Sequence, residues 1–245
     1  KIDFLQVKRH CDPLLCDTLE EILTQKAISK QCLNTSCNHS NVLFDPTRTD
    51  FVCERCNKSN CLRCNLLHEP SDDCKHFLFN QSNAFRKKWT GVHQESTTVL
   101  LQSVTPNSEE WNELVGVMKY NNIVKIERVE HNLLWRKYAE YCVSLGSQYC
   151  EQKVHHGTRQ NQPQLIYTNG FDLTKAKVGH CLWFAVESQY SRNGYQFSLS
   201  NGQAQIFISL IASGNPEHVK FIRGNTVLNV YKNEATYPAY LVTFR

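Results

Sequence analysis

The chain has 245 residues, a formal net charge of +4 and 41% hydrophobic residues. That length suits two domains, and the apolar share supports a buried core. No apolar run approaches the ~20 residues of a membrane span, so no membrane partner is expected, and so small a positive balance does not by itself argue for nucleic acid. The chain starts Lys1-Ile2-Asp3, neither an initiator Met nor a signal peptide, so it reads as a piece of a longer protein.

Cysteine is the informative residue type. Of the 12 in the chain, all but Cys142, Cys150 and Cys181 lie before Ser82. They fall in C-x2-C and C-x4-C pairs with an interspersed His. A secreted disulfide framework is the competing reading, but pairs this close read as metal ligands. Thiolate ligands in turn point to a reducing compartment, cytoplasmic or nuclear.

In chain order, Cys11 and Cys16 form an isolated C-x4-C, either two free thiols in a loop or the tail of a zinc site begun upstream. Asp17-Thr18 has the character of a helix N-cap, with Glu20 and Glu21 suited to the first turn. Leu19, Ile22, Leu23 and Ala27 continue at helical spacing, giving a connecting helix from about Asp17 to Ser29. The run Cys32-x4-Cys37-x15-Cys53-x2-Cys56-x4-Cys61-x2-Cys64-x3-His68-x5-Cys74 then supplies eight ligands. Four Cys, followed by three Cys and one His, satisfy two tetrahedral structural zinc ions. His39 and His76 are possible substitutes. So ligand-rich and apolar-poor a segment would take its folding free energy from the metal.

This ligand order, with Val42-Leu43-Phe44-Asp45 between pairs and the Cys61/Cys64 knuckle, resembles the in-between-RING (IBR) module of RING-in-between-RING ubiquitin ligases. The resemblance implies that residues 1–30 are the remnant of a preceding RING plus its connecting helix, and that 31–80 are the two-zinc module. It also implies ubiquitin, or an enzyme of its pathway, as a protein partner. No second RING follows, and the remaining cysteines have no active-site spacing, so no ubiquitin thioester is expected.

Residues 77–97 are polar and basic, with Arg86, Lys87 and Lys88, and read as a linker (over 81–97) or a packed extension. Ser96–Val104 reads as a strand. Ser108-Glu109-Glu110 opens a helix carrying Trp111, Leu114, Val115 and Met118, and Ile123–Val129 alternates as a strand. His131 to Tyr138 opens a long helix whose Trp135 is core by default. Next come His155-His156-Gly157-Thr158, Gly179-His180-Cys181-Leu182-Trp183-Phe184-Ala185 running to Tyr190-Ser191, and Asn225-Thr226-Val227-Leu228 through Tyr237-Pro238-Ala239-Tyr240-Leu241-Val242. Taken alone, two histidines on a strand mean one buried and hydrogen-bonded ring.

In order and spacing these segments resemble the catalytic domain of the PARP-like (diphtheria-toxin-type) ADP-ribosyltransferases, over residues 98–245. The implied fold is α+β, with split antiparallel sheets and flanking helices. The implied reaction is displacement of nicotinamide from NAD by a nucleophile. By the same resemblance the triad positions are His156, Trp183 and Val227, and the NAD-binding set is His156, Gly157, Thr158, Trp183, Tyr190, Ser191 and Tyr195. Gly157 and Ser191 would hold the nicotinamide amide. Tyr195 and Trp183 would sandwich its ring, with Tyr190 in reserve, and His156 would hydrogen-bond a ribose hydroxyl. The family's pattern has Tyr where Trp183 stands, Gly at Cys181, and a chain-extending Glu at Val227. The Val227 departure implies single-unit transfer. Both the stretch from Gly170 to Gly179, which would cover the adenosine half, and the connection from Ser213 to Asn225 are short. The alternative is a non-catalytic transferase-like module that binds ubiquitin or RNA, although no basic patch interleaved with aromatics precedes Ser82 and nucleic acid is not the expected partner.

Overall fold

The computed structural model describes residues 28–43, 45, 48–63, 66–67, 74–90, 99–176 and 178–245. The Cys11/Cys16 pair, most of the connecting helix, Cys64 and His68 lie outside them. The chain divides into two compact units, Lys1–Leu78 and Phe79–Arg245.

In the first unit, β1 (Ile28–Gln31) and β2 (Ser40–Leu43) form an antiparallel hairpin, Ile28 opposite Leu43. Ile28 and Ser29 therefore belong to a strand, not to the end of the connecting helix, because their partners lie across the Cys32–His39 turn. A second, three-stranded sheet joins β3 (Asp50–Val52), β4 (Ser59–Cys61) and β5 (Leu66–Leu67). Cys37 and Cys56 are each followed by an Asn in the left-handed region, Asn38 (φ 49°) and Asn57 (φ 54°). Asn tolerates that conformation better than most residues, and it turns the chain sharply after each knuckle. Beside the cysteines, the buried apolar side chains of this core are Leu43 and Phe51.

After α1 (Lys75–Ser82), the second unit is built on one antiparallel sheet. Its strands are β6 (Leu100–Ser103), β7 (Ile123–Glu130), β8 (Glu151–His156), β9 (Leu182–Ala185), β10 (Phe197–Ser198), β11 (Ala204–Ala212), β12 (Val219–Ile222), β13 (Val227–Val230) and β14 (Thr236–Phe244). The order is β12-β13-β9-β8-β11-β14-β7-β6, with β10 added to β11. Instead of the expected split sheets, the strands form one continuous sheet, narrowest at a seam where β8 and β9 meet at one pair, His155 opposite Ala185, whereas β11 pairs β8 over six residues. Central strands β11 and β14 are buried almost throughout, as expected of strands covered on both faces.

Helix α2 (Glu109–Met118) starts at Ser108, whose side chain accepts from Trp111 N, with Glu109 and Glu110 in the first turn. Helix α3 (Asn132–Leu145) starts at His131 and buries Trp135, Tyr138 and Cys142. The remaining helices are α4 (Pro163–Asn169) and α5 (Ser188–Arg192). Between α2 and β7, Arg128 is buried and forms ion pairs with Glu110 (2.6 Å) and Glu130 (2.9 Å), while Tyr240 donates to Glu110 (2.7 Å). Removing one partner would leave an uncompensated buried charge.

The linker reading of 81–97 does not hold at Phe85 and Trp89. Both are buried: Phe85 lies 5.3 Å from the Tyr240 ring and 5.6 Å from Trp135, and Arg86 stacks on Trp89 at 4.2 Å. The basic run hides two aromatic anchors, so residues 79–90 are part of the second unit's core. No helix among the described residues is long and apolar enough to cross a membrane.

Candidate functional site

Two constellations carry chemistry, one in each unit. In the first, Sγ atoms of Cys32, Cys37, Cys53 and Cys56 lie within 4.8 Å of one another. Cys32 and Cys56 are 3.6 Å apart, and Cys37 and Cys53 are 3.7 Å apart. A disulfide would need ~2.05 Å. Four sulfurs at the usual Zn–S length of ~2.3 Å define tetrahedron edges of about 3.8 Å, so the donor set and its spacing fit such an ion. Four thiolates packed this closely repel one another and need a cation to coexist. Cys61 and Cys74, both buried, bring their sulfurs to 3.8 Å, the same edge length. Their expected co-ligands Cys64 and His68 are not among the described residues.

The second constellation sits at the seam. Strands β8 and β9 pair only at His155 and Ala185, with Gly157, just past the end of β8, and Trp183 of β9 lying beyond that pair. His156 is half-buried, packed edge-on against Phe171 (5.1 Å) and tilted against Phe184 (5.2 Å). Its Nδ1 lies 2.8 Å from the Trp183 carbonyl. A carbonyl only accepts, so Nδ1 carries the proton and Nε2 is left as an acceptor. Burial also lowers the His156 pKa, which favours this neutral form. The ring is thus set to receive a hydroxyl proton rather than to donate one.

Gly157 is required by contact. A Cβ there would overlap the Tyr195 carbonyl, whose oxygen accepts from Arg159 N at 2.8 Å. Ser191 is buried on α5, and Thr158 donates to the Asn161 carbonyl (2.6 Å), fixing the turn that follows the glycine. Of the expected NAD-binding residues, His156 is joined to Trp183 by a hydrogen bond, Gly157 packs on Tyr195, and Tyr195 stacks on Tyr190.

The aromatic walls differ from expectation. Tyr195 has its stacking partner in Tyr190. Its ring lies parallel to Tyr190, 5.3 Å between centroids and 8° between planes, and the Arg159 guanidinium is 4.8 Å from its centroid. Trp183 donates its indole N–H to the Val178 carbonyl (3.0 Å) and has Arg223 5.6 Å from its ring centre. Arg223 also donates to the Tyr190 hydroxyl (2.8 Å). Val227 stands opposite Ala185 and is buried, an aliphatic floor with no ionisable group. Cys181 is buried as well, its thiol pushed up by burial.

Sequence reasoning missed three neighbours. Arg159 and Arg223 had no motif, and only the turn geometry brings them to the rings. Asn229 stands opposite Trp183 in register, so the two share a sheet face, and its buried Oδ1 has no hydrogen-bond partner. Strand register alone could have revealed it.

His155 is the buried, hydrogen-bonded ring of the pair. It is 1% exposed, and its Nδ1 donates to the carbonyls of Ala185 and Val186. Burial pulls its pKa from 6.5 to about 4. The folded pKa is depressed, so the unfolded chain binds more protons between these values. Stability is complete above about pH 6.5 and falls as pH drops toward about 4. We expect this residue to cost the second unit about 2 kcal/mol between pH 7 and pH 5. Denaturant titrations at both pH values should show the loss in the parent and a flatter dependence in His155→Leu; equal slopes would refute the assignment.

No family model matches the chain. A protein of Dictyostelium discoideum named as a probable poly [ADP-ribose] polymerase is 28% identical over 199 residues, 67% of this chain and 58% of that protein. The similarity supports a PARP-like domain here. The chain spans somewhat over half the length of that relative.

Proposed function

We propose that residues 79–245 transfer ADP-ribose from NAD to a protein acceptor, one unit at a time. The observation that carries this reading is the seam itself. There β8 and β9 share a single pair beside a glycine pressed against Tyr195, with a neutral His156 whose free Nε2 accepts. Similarity to a protein named as a polymerase of ADP-ribose supports the same reading.

In the reaction, the bond between ribose and nicotinamide breaks, nicotinamide leaves, and the acceptor's nucleophile bonds to the ribose carbon. Positive charge builds on the ribose in the transition state, so the protein's task is rigid positioning. His156 Nε2 receives a ribose hydroxyl, Gly157 and Ser191 hold the amide, and the aromatic walls hold the ring. Val227 gives no carboxylate to activate a second ADP-ribose, so chains do not grow. The first unit is an IBR-type module with two structural zinc ions, one on Cys32, Cys37, Cys53 and Cys56 and the other on Cys61, Cys64, His68 and Cys74. Its partner is ubiquitin or an enzyme of that pathway, in the cytoplasm or nucleus.

A second reading, a non-catalytic binding module, is favoured by one feature: Tyr190 and Arg159 pack on the Tyr195 ring that would hold nicotinamide. Mass spectrometry after incubation with NAD, with and without ubiquitin, separates the two. Single ADP-ribose increments are expected on the chain or on ubiquitin. His156→Ala should lower transfer by roughly ten- to a hundredfold, the 1–3 kcal/mol of one lost buried polar contact. Polymer ladders would rule out single-unit transfer. If the parent transfers nothing and NAD gives no thermal stabilisation, the binding-module reading replaces it.

A further inference from the structure

Tyr190 and Tyr195 leave no room for a third ring. A planar ligand between two parallel rings needs them about 7 Å apart, twice the ~3.5 Å carbon contact distance, whereas their centroids are 5.3 Å apart. A ring can therefore enter on that face only if Tyr190 moves. Tyr190 is held by the hydrogen bond from Arg223, whose guanidinium also lies 5.6 Å from the Trp183 ring centre, and by its hydroxyl's interaction with Tyr195.

The base of Arg223 is fixed. Arg223, Gly224 and Asn225 all take left-handed φ values (51°, 64° and 64°). Thr226 donates its hydroxyl to the Arg223 carbonyl (2.8 Å), and Val186 N donates to the Thr226 carbonyl (3.0 Å), tying the turn to the end of β9. The side chain, by contrast, is exposed, and no carboxylate among the described residues pairs with it. Arg159, on Tyr195, is likewise partnered only by a carbonyl and a ring. Cations without counter-charge around stacked aromatic rings suit a ligand that is both planar and anionic, since a guanidinium binds phosphate oxygens in bidentate fashion and more strongly than a phenol.

We infer that Arg223 is the specificity-determining residue of this slot. A phosphate of the incoming nucleotide draws the guanidinium from Tyr190, and Tyr190 then leaves the stack and admits the ligand's planar ring. The slot accordingly selects phosphorylated ligands over the bare nucleoside. This inference rests on the NAD reading above.

The test compares nicotinamide riboside with nicotinamide mononucleotide, which differ by one phosphate, by calorimetry on the whole chain, with NAD as the reference ligand. The parent should bind the mononucleotide roughly tenfold more tightly, in line with one charge-assisted contact. Arg223→Gln should bring the two affinities within about twofold of each other, by weakening the mononucleotide and, because the bond to Tyr190 is lost as well, by tightening the riboside. Tyr190→Phe keeps the stack but frees Arg223, so it should tighten the riboside several-fold. An Arg223→Gln protein that keeps the tenfold preference, or loses both ligands equally, overturns the inference while leaving the NAD reading intact. Absence of binding by all three ligands to the parent and to both variants overturns both.

Discussion

Replacing Gly157 with alanine will remove NAD-dependent labelling by the second unit while the rest of that unit stays folded. The added Cβ has no flexible side chain to push aside: it meets the backbone carbonyl and Cβ of Tyr195. That carbonyl is itself held by Arg159 N, so either β8 or the turn carrying Tyr195 must shift. Overpacking of this kind costs about 1–3 kcal/mol. A displacement of about 1 Å in a positioning residue can cost on the order of a hundredfold in rate. Gly116→Ala is the matched control, because a Cβ there meets nothing within 4 Å and the residue lies inside helix α2. It should be neutral or gain up to about 1 kcal/mol. Label transfer is measured at equal folded fraction, judged by thermal unfolding. Parent-like transfer by Gly157→Ala would mean that the close approach to Tyr195 is not part of the slot.

How far the sequence could lead follows from which physical signals are local. Ser108 before two glutamates marks a helix start wherever it occurs, and α2 begins there. The Trp135 helix has an apolar stripe legible at 3.6 spacing, and it buries that residue. Cysteine pairs are legible because a tetrahedral ion needs closely spaced thiolates, and the four sulfurs do converge. Phe85 and Trp89 were illegible because their partners, Trp135, Tyr237 and Tyr240, lie far along the chain and the intervening Arg86-Lys87-Lys88 reads as solvated. The arrangement of Tyr190, Tyr195 and Arg223 was illegible for a related reason. It depends on a left-handed turn between β12 and β13 that aims one side chain across two strands. Family resemblance supplied candidate residues but not their packing, and the His156 tautomer needed the Trp183 carbonyl in place.

Removing metal should unfold the first unit and spare the second. Among the described residues its core offers Leu43 and Phe51 as buried apolar side chains beside cysteines. Two such residues contribute about 3–6 kcal/mol, against backbone ordering that costs about 1–2 kcal/mol for every residue fixed. Zinc bound by such ligand sets contributes apparent values of about 10–16 kcal/mol, well above what these two side chains supply. The sulfur separations of 3.6, 3.7 and 3.8 Å are those of a tetrahedral thiolate site, and no ligand is expected in the second unit. Elemental analysis of protein purified without chelator should therefore return two equivalents of zinc; fewer than one would sink the assignment. Chelation should abolish the far-UV signal and protease resistance of the first unit and leave the thermal transition of the second within a few degrees of the parent. Cys53→Ser, at a fully buried sulfur, should do the same for the first site without chelator. Loss of both transitions together would instead mean that the two units fold as one.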